Sequence, residues 1–449
     1  MPAMTNNDPR SLLATSAMTR LQIVVCLVTV LLNALDGFDV LAIGFATQGI
    51  LKEWNISRVD FGVVASMELW GMAVGSFVLG GVADKVGRRR SILAFLLVMT
   101  LGSFMCSRAG DLWDLRIWRF ITGLGIGGML AAINAASAEF SNDRSRNLWV
   151  ALMTIGYPLG NVFCALFVSE LLKTHNWRVV FEFAAILSAA LLPVVWFLVP
   201  ESISWLCRRQ PVRALEKVNV TLKRMGRAAI EALPPMPPSA QRPSLKDLFT
   251  PKLMRLTILM VVAYFAHIIS FYYIIKWTPP IVAEMGYSGP VVADVLLWIS
   301  VGGAAGGALL GLLAMRWSVR LLTVGILVLS AIAISVFGAG QESLTELKVI
   351  IFFCGFFVNG GIVGLYTLLA IAFPTHLRAT GTGIAIGAGR GGAALAPMVA
   401  GYLLQHGMGL QAVSIIMGCG ALIGAVTLLF VKYESTSEAN LGSVSQPAR

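Results

Sequence analysis

Apolar residues in this chain come in long unbroken stretches rather than in strand-like alternation. Stretches of membrane-spanning length begin near Leu21, Phe61, Ser91, Trp113, Leu148 and Val179, and again near Leu253, Val291, Leu321, Leu347, Thr380 and Leu410. At 1.5 Å per helical residue, about 20 residues cross a hydrocarbon layer roughly 30 Å thick. The pattern therefore predicts an all-α polytopic membrane protein of 12 transmembrane helices, arranged as two six-helix bundles. The polar segment from Glu201 to Lys252 divides them. The expected boundaries are an N-terminal tail 1–20, bundles 21–200 and 253–432, a central loop 201–252 and a C-terminal tail 433–449.

Composition and charge support this reading. The chain is 57% hydrophobic and 13% charged, against about 25% charged residues in soluble domains. Its net charge of +11 does not point to nucleic acid, because the basic residues collect in short segments between apolar stretches, as cytoplasmic loops require. Lys85 to Arg90, Arg144, Arg146, Arg316, Arg320 and Arg378 all lie in even-numbered loops. The central loop is basic from Arg208 to Arg227 and then proline-rich, in LPPMPPSAQRP. Both termini are accordingly expected in the cytoplasm of a bacterial-type inner membrane. The first 20 residues are polar and carry Arg10 and Arg20, so the first stretch reads as an uncleaved helix and not as a signal peptide. The six cysteines are scattered, without a CxxC pair, and read as buried hydrophobes and not as metal ligands or a disulfide framework.

Chemistry enters where charge interrupts the apolar runs. Asp36 and Asp39 sit inside LVTVLLNALDGFDVLAIGFA, on one helical face. A charged side chain at bilayer depth costs about 2.5–3.5 kcal/mol on insertion scales and marks a proton, ion or substrate path. Counting outward from Leu21, the two lie roughly 22–27 Å along the helix, in the outer half of the membrane. Arg119, roughly 9 Å into the fourth helix from its outer end, and Glu68 in the second fall at matching depth. A carboxylate's affinity for protons falls beside an arginine and rises beside another carboxylate. Asp36, Asp39, Arg119 and Glu68 are thus candidates for proton coupling, with Glu68 placed by depth alone. A static ion network holding the three helices together is the alternative.

The loop GGVADKVGRRR (80–90) matches G-x-x-x-D-R/K-x-G-R-R/K through Gly80, Asp84, Lys85, Gly87, Arg88 and Arg89. An ordinary basic loop needs neither the acid nor the fixed glycines. This resembles the signature loop of the major facilitator superfamily. The resemblance implies that the loop latches one conformational state, its acid meeting a neighbouring helix terminus, here expected near Thr380. Arg378 is assigned to the same gate. The corresponding stretch GLLAMRWSVR (311–320) has Met315 where the acid would be, which predicts a weaker latch. Asp36-Gly37-Phe38-Asp39 further resembles the D-G-[YF]-D element of the aromatic acid:proton symporters, and FPTHLRATGTG (373–383) with GAGRGGAALAP (387–397) is similar to their tenth and eleventh helices. Membership implies transport of hydroxybenzoate, protocatechuate, benzoate, gallate or ring-cleavage acids such as muconate, and supports coupling roles for Asp36, Asp39 and Arg119.

In the second half, Arg390 reads as the only strongly basic residue set deep in the membrane. Its planar, permanently charged fork suits bidentate capture of a carboxylate. Tyr264, Phe265, His267, Phe271, Tyr272, Tyr273 and Trp277 crowd the seventh stretch, where Tyr272 and Tyr273 could stack on a benzoate ring and His267 could relay a proton. Packing aromatics and a hydrogen-bonded core histidine are the alternatives. Gly123, Gly125 and Gly128 spell GxGxxG, but without the strand of a dinucleotide fold; small-residue helix packing explains them better.

The expected function is secondary active import of an aromatic or related carboxylate with protons by alternating access. The rivals are an exporter of the same fold and a membrane sensor that binds the acid without moving it. The chain is not expected to be an enzyme, and no cofactor or metal is expected beyond the coupling proton. Its partners are the carboxylate, protons and the bilayer, with no nucleic acid, and the chain is expected to be a monomer.

Overall fold

A computed structural model describes residues 8–235, 248–287, 289–314, 316–341, 343–373 and 378–431. Among these the chain forms helices only: α1 (Pro9–Thr15), α2 (Arg20–Trp54), α3 (Arg58–Leu79), α4 (Val82–Val86), α5 (Arg88–Ser107), α6 (Leu112–Phe140), α7 (Arg146–Leu171), α8 (Arg178–Leu198), α9 (Ile203–Arg209), α10 (Ala214–Arg224), α11 (Pro251–Glu284), α12 (Gly289–Leu313), α13 (Val319–Gly338), α14 (Leu344–Ala372), α15 (Arg378–Gln405) and α16 (Leu410–Leu429). Twelve are long and apolar enough to cross a membrane, and each span starts within three residues of its expected position. The central loop is partly helical, through α9 and α10. The N-terminal tail carries the short α1, capped by Asp8.

Helix starts follow from local chemistry. Thr19 and Gln22 form a capping box at α2: the Gln22 side chain accepts from the Thr19 amide at 2.9 Å, and Thr19 accepts from the Gln22 amide. Such a box satisfies two amides that the first turn leaves open. Ser57, Asp111 and Ser343 cap α3, α6 and α14, each side chain accepting one first-turn amide.

The chain divides into two compact units, Met1–Ala240 with Lys276–Leu297, and Gln241–Ile275 with Trp298–Arg449. Lys276–Leu297 lies inside the expected second bundle yet groups with the first unit, where Trp277 meets Phe61 edge-on at 5.9 Å and Pro279 packs against Gly44.

In the first unit α3 packs on α6, α2 on α7, and α5 on both α6 and α8. The α3–α6 seam is built from glycine. Gly71 and Gly75 of α3 face the backbone of Phe120 and Leu124, while Gly123 and Gly127 of α6 face that of Glu68 and Met72. A Cβ at any of these positions would overlap the opposing main chain, so backbones touch directly, as small-residue helix pairs do. Gly125 and Gly128 face Met99 and Phe95 of α5. The GxGxxG run is thus a helix-packing device. In the second unit α13 packs on α14 and α16, and α14 on α15.

Candidate functional site

The glycine seam fixes what stands beside it. Glu68 of α3 and Arg119 of α6 form an ion pair in which both side chains are 0% exposed. The Arg119 fork also donates to the backbone carbonyl of Asp39 at 3.2 Å, and its guanidinium stands 5.4 Å from the Phe181 ring centre. Asp39 is 0% exposed and accepts from the Ser103 hydroxyl at 3.3 Å. Asp36 lies one turn earlier on α2, equally buried. The structure thus brings Glu68, Arg119 and Asp39 together. Glu68, selected by depth alone, is the acid to which the arginine turns. One turn along the seam, Arg116 pairs with Asp60 at 2.7 Å.

Arg390 is not the only strongly basic residue deep in the second half of the sequence. Lys276 of α11 is 1% exposed, and its ammonium lies 3.3 Å from Glu68 Oε2 while donating to the Val40 carbonyl. It escaped notice because FYYIIKWTPP places it near the far end of a long aromatic helix, where a lysine reads as an interface anchor. With Lys276 the cluster around Glu68 holds two buried cations, Arg119 and Lys276, and three buried acids, Asp36, Asp39 and Glu68. Glu68 Oε1, Asp39 Oδ2 and the Arg119 Nε and Nη1 groups have no hydrogen-bond partner among the described residues. Buried polar atoms are normally satisfied; a cluster with open donors and acceptors can rearrange its bonds when a proton arrives.

In the second unit Arg390 sits on α15 between Gly389, which packs on the Tyr264 ring, and residues facing Phe265 of α11. Tyr264 and Tyr366 share a hydroxyl–hydroxyl bond of 3.1 Å. Tyr272 is buried, edge-on to Phe271 at 5.2 Å. The other two named residues face neighbouring helices: His267 Nε2 donates to the Val358 carbonyl at 2.8 Å, and the Tyr273 hydroxyl meets that of Ser414 at 2.7 Å. Of the aromatic set, Tyr264 thus lies against the turn that carries Arg390, with Tyr366 of α14 bonded to it. Tyr366 had no distinguishing mark in the sequence.

The loop signature is also a built site. Gly80 ends α3 and Gly87 takes a φ of +112°, which glycine alone adopts freely. Asp84 pairs with Arg88 at 2.7 Å, and Arg88 reaches Glu139 at 2.8 Å, a carboxylate shared with Arg208. Glu201 accepts the amides of Arg88, Arg89 and Ser202 at 2.6, 3.3 and 3.1 Å. Burial pushes the Glu201 carboxyl above its ordinary range, while those three amides pull it back. Lys85 is exposed in α4. Met315 and the side chains of Arg378 and of Thr380, the expected partner of Asp84, lie outside what the structure describes. Glu139 and Glu201, the acids that hold this loop, carried no motif of their own.

The family model described as Major Facilitator Superfamily matches residues 29–340 and 278–448, most of the chain. The chain belongs to the Major Facilitator Superfamily. Its relatives include a gallate transporter of Pseudomonas putida, 27% identical over 91% of this chain and 90% of that protein. A benzoate transport protein of Acinetobacter baylyi is 29% identical over 91% of this chain and 89% of its own length. These relatives agree with the resemblance to aromatic acid carriers seen in the motifs. Among solved structures, that of a D-xylose–proton symporter superposes with a TM-score of 0.72 at 16% identity, covering 92% of this chain and 98% of the other. That likeness establishes the fold. This superfamily member is therefore a multi-pass membrane protein.

Proposed function

We propose that this superfamily member imports an aromatic or related carboxylate together with protons by alternating access, as a monomer in the inner membrane with both termini cytoplasmic. The buried cluster of Asp36, Asp39, Glu68, Arg119 and Lys276 carries this reading. Five ionisable groups out of contact with solvent are expensive to bury, and proton coupling is a function that would maintain them. The kinship with gallate and benzoate transporters supports the substrate class. Arg390, together with Tyr264, Tyr366 and Tyr272, is the proposed carboxylate and ring site. The permanently charged fork supplies two parallel hydrogen bonds, and the phenol rings supply flat apolar walls.

Energetics then limit the stoichiometry. Each net positive charge carried inward gains about 2.3 kcal/mol per 100 mV. A monovalent benzoate with one proton is electroneutral and draws on the pH gradient alone. A dicarboxylate such as muconate needs two or more protons to avoid working against the voltage.

The test is initial uptake of labelled 4-hydroxybenzoate, protocatechuate, benzoate, gallate and muconate into cells expressing the chain, with and without a protonophore. Accumulation of one acid that collapses with the protonophore supports the proposal. Faster loss from preloaded cells without accumulation would replace it with export, and binding without flux in either direction would replace it with sensing.

A further inference from the structure

Lys276 occupies an unusual position in the chain. The two compact units divide between Ile275 and Lys276, within α11. Pro279 and Pro280 follow. Proline has no amide hydrogen, so the helical bonds that residues 279 and 280 would give to the carbonyls of 275 and 276 cannot form. The helix ladder is open at the lysine itself, which makes this a natural hinge. Beyond it, the segment is held in the first unit by Trp277 on Phe61, by Pro279 on Gly44 and, at its end, by the half-exposed pair Glu284–Arg58 at 2.8 Å. Lys276 adds a buried ionic tie, to Glu68.

That tie depends on a carboxylate serving two cations. Glu68 Oε2 accepts from both Arg119 and Lys276, and the two cations also take the successive α2 carbonyls of Asp39 and Val40. Glu68 faces Asp39 of α2, Arg119 of α6 and Lys276 of α11, with Asp36 a turn away on α2. Ser103 and Cys106 of α5 complete the surroundings. A proton on Glu68 would leave two buried positive charges around a neutral group. Arg119 cannot readily leave: it is always charged, stands over Phe181 and belongs to a helix locked backbone-to-backbone against α3. Lys276 is a flexible ammonium on a hinge.

We propose that Lys276 is a charge-operated latch: ionised Glu68 holds the C-terminal segment of α11 in the first unit, and protonation of Glu68 releases it. This rests on the proton-coupled reading and makes Lys276 a positioning residue through which a bound proton becomes a helix movement.

The test uses no substrate. In the full-length protein in detergent, Val282→Cys introduces a thiol at a fully buried position of the latched segment, and its maleimide labelling rate is followed at fixed pH. Glu68→Gln, which imitates the protonated acid, and Lys276→Met should each raise that rate at least about tenfold, as local opening does. Lys276→Arg should keep it slow, and the double variant should label no faster than the faster single. Native Cys164, buried in α7, should stay slow throughout, which separates release of the segment from general loosening. An unchanged rate in Glu68→Gln overturns the latch even where Lys276→Met fails to fold. Equal acceleration at Cys164 also overturns it. If the latch opens as described but uptake ignores the protonophore, the latch stands and the coupling reading fails.

Discussion

Arg119→Met removes one partner from a fully buried pair. Breaking such a pair costs about 3–5 kcal/mol, because the remaining charge is left in a medium that cannot solvate it. Lys276 still stands 3.3 Å from Glu68, which places the expected loss near the lower end of that range. Losing the guanidinium over Phe181, at 5.4 Å, adds about 0.5–2 kcal/mol. The total, on the order of 3–5 kcal/mol, should be readable as a shift in an SDS-titration unfolding curve of the purified protein followed by tryptophan fluorescence. Glu68→Gln alone should also destabilise. Combined with Arg119→Met it should not add, since the methionine no longer leaves an ionised acid behind. The double variant should fall short of the sum of the singles by about 0.5–3 kcal/mol, the coupling typical of contacting groups. Additivity to within about 0.5 kcal/mol would refute the claim that these two residues form the energetic centre of the cluster.

Three further expectations can be checked in the same preparations. Arg390→Lys should raise the KM for the transported acid about tenfold with a smaller change in maximal rate, because a point charge replaces a bidentate fork; an unchanged KM would remove Arg390 from the substrate site. Gly123→Val should lower stability by about 1–3 kcal/mol or more through overpacking against the Glu68 backbone, whereas Gly81→Ala, with nothing within 4 Å, should be silent. Burial raises Glu201, so the native state holds a proton that the unfolded chain has already lost, and that contribution fades as the pH rises through the native value. Glu201→Gln should therefore reduce the fall in thermal midpoint as the pH rises from the ordinary carboxylate range through the raised native value; a variant with the same slope as the parent would count against it.

Much of this molecule was legible in the sequence because the bilayer leaves few alternatives. Unbroken apolar stretches gave the spans, and charges inside them gave Asp36, Asp39, Glu68 and Arg119. The fixed glycines of GGVADKVGRRR gave the signature loop. What stayed hidden depends on which helix faces which. Lys276 was not singled out, because only the packing of α11 shows that it stands against Glu68. Glu139 and Glu201 are unremarkable acids near span ends, and only the fold shows that one bridges Arg88 and Arg208 while the other gathers three amides. The helix-seven aromatics showed a third difficulty. Tyr273 and His267 had the composition of a ligand site but face α16 and α14, while Tyr366, with no mark of its own, stands with Tyr264.

The glycine seam between α3 and α6 has a mechanical meaning. Where side chains interdigitate, two helices can slip by a rotamer change and absorb a small displacement. Where main chain lies on main chain, as at Gly71, Gly75, Gly123 and Gly127, no compliant layer remains to absorb it. The pair then behaves as one double-width beam, and a push on either helix passes along its length without being damped. Whatever moves during a working cycle, Glu68 and Arg119 travel as a single part.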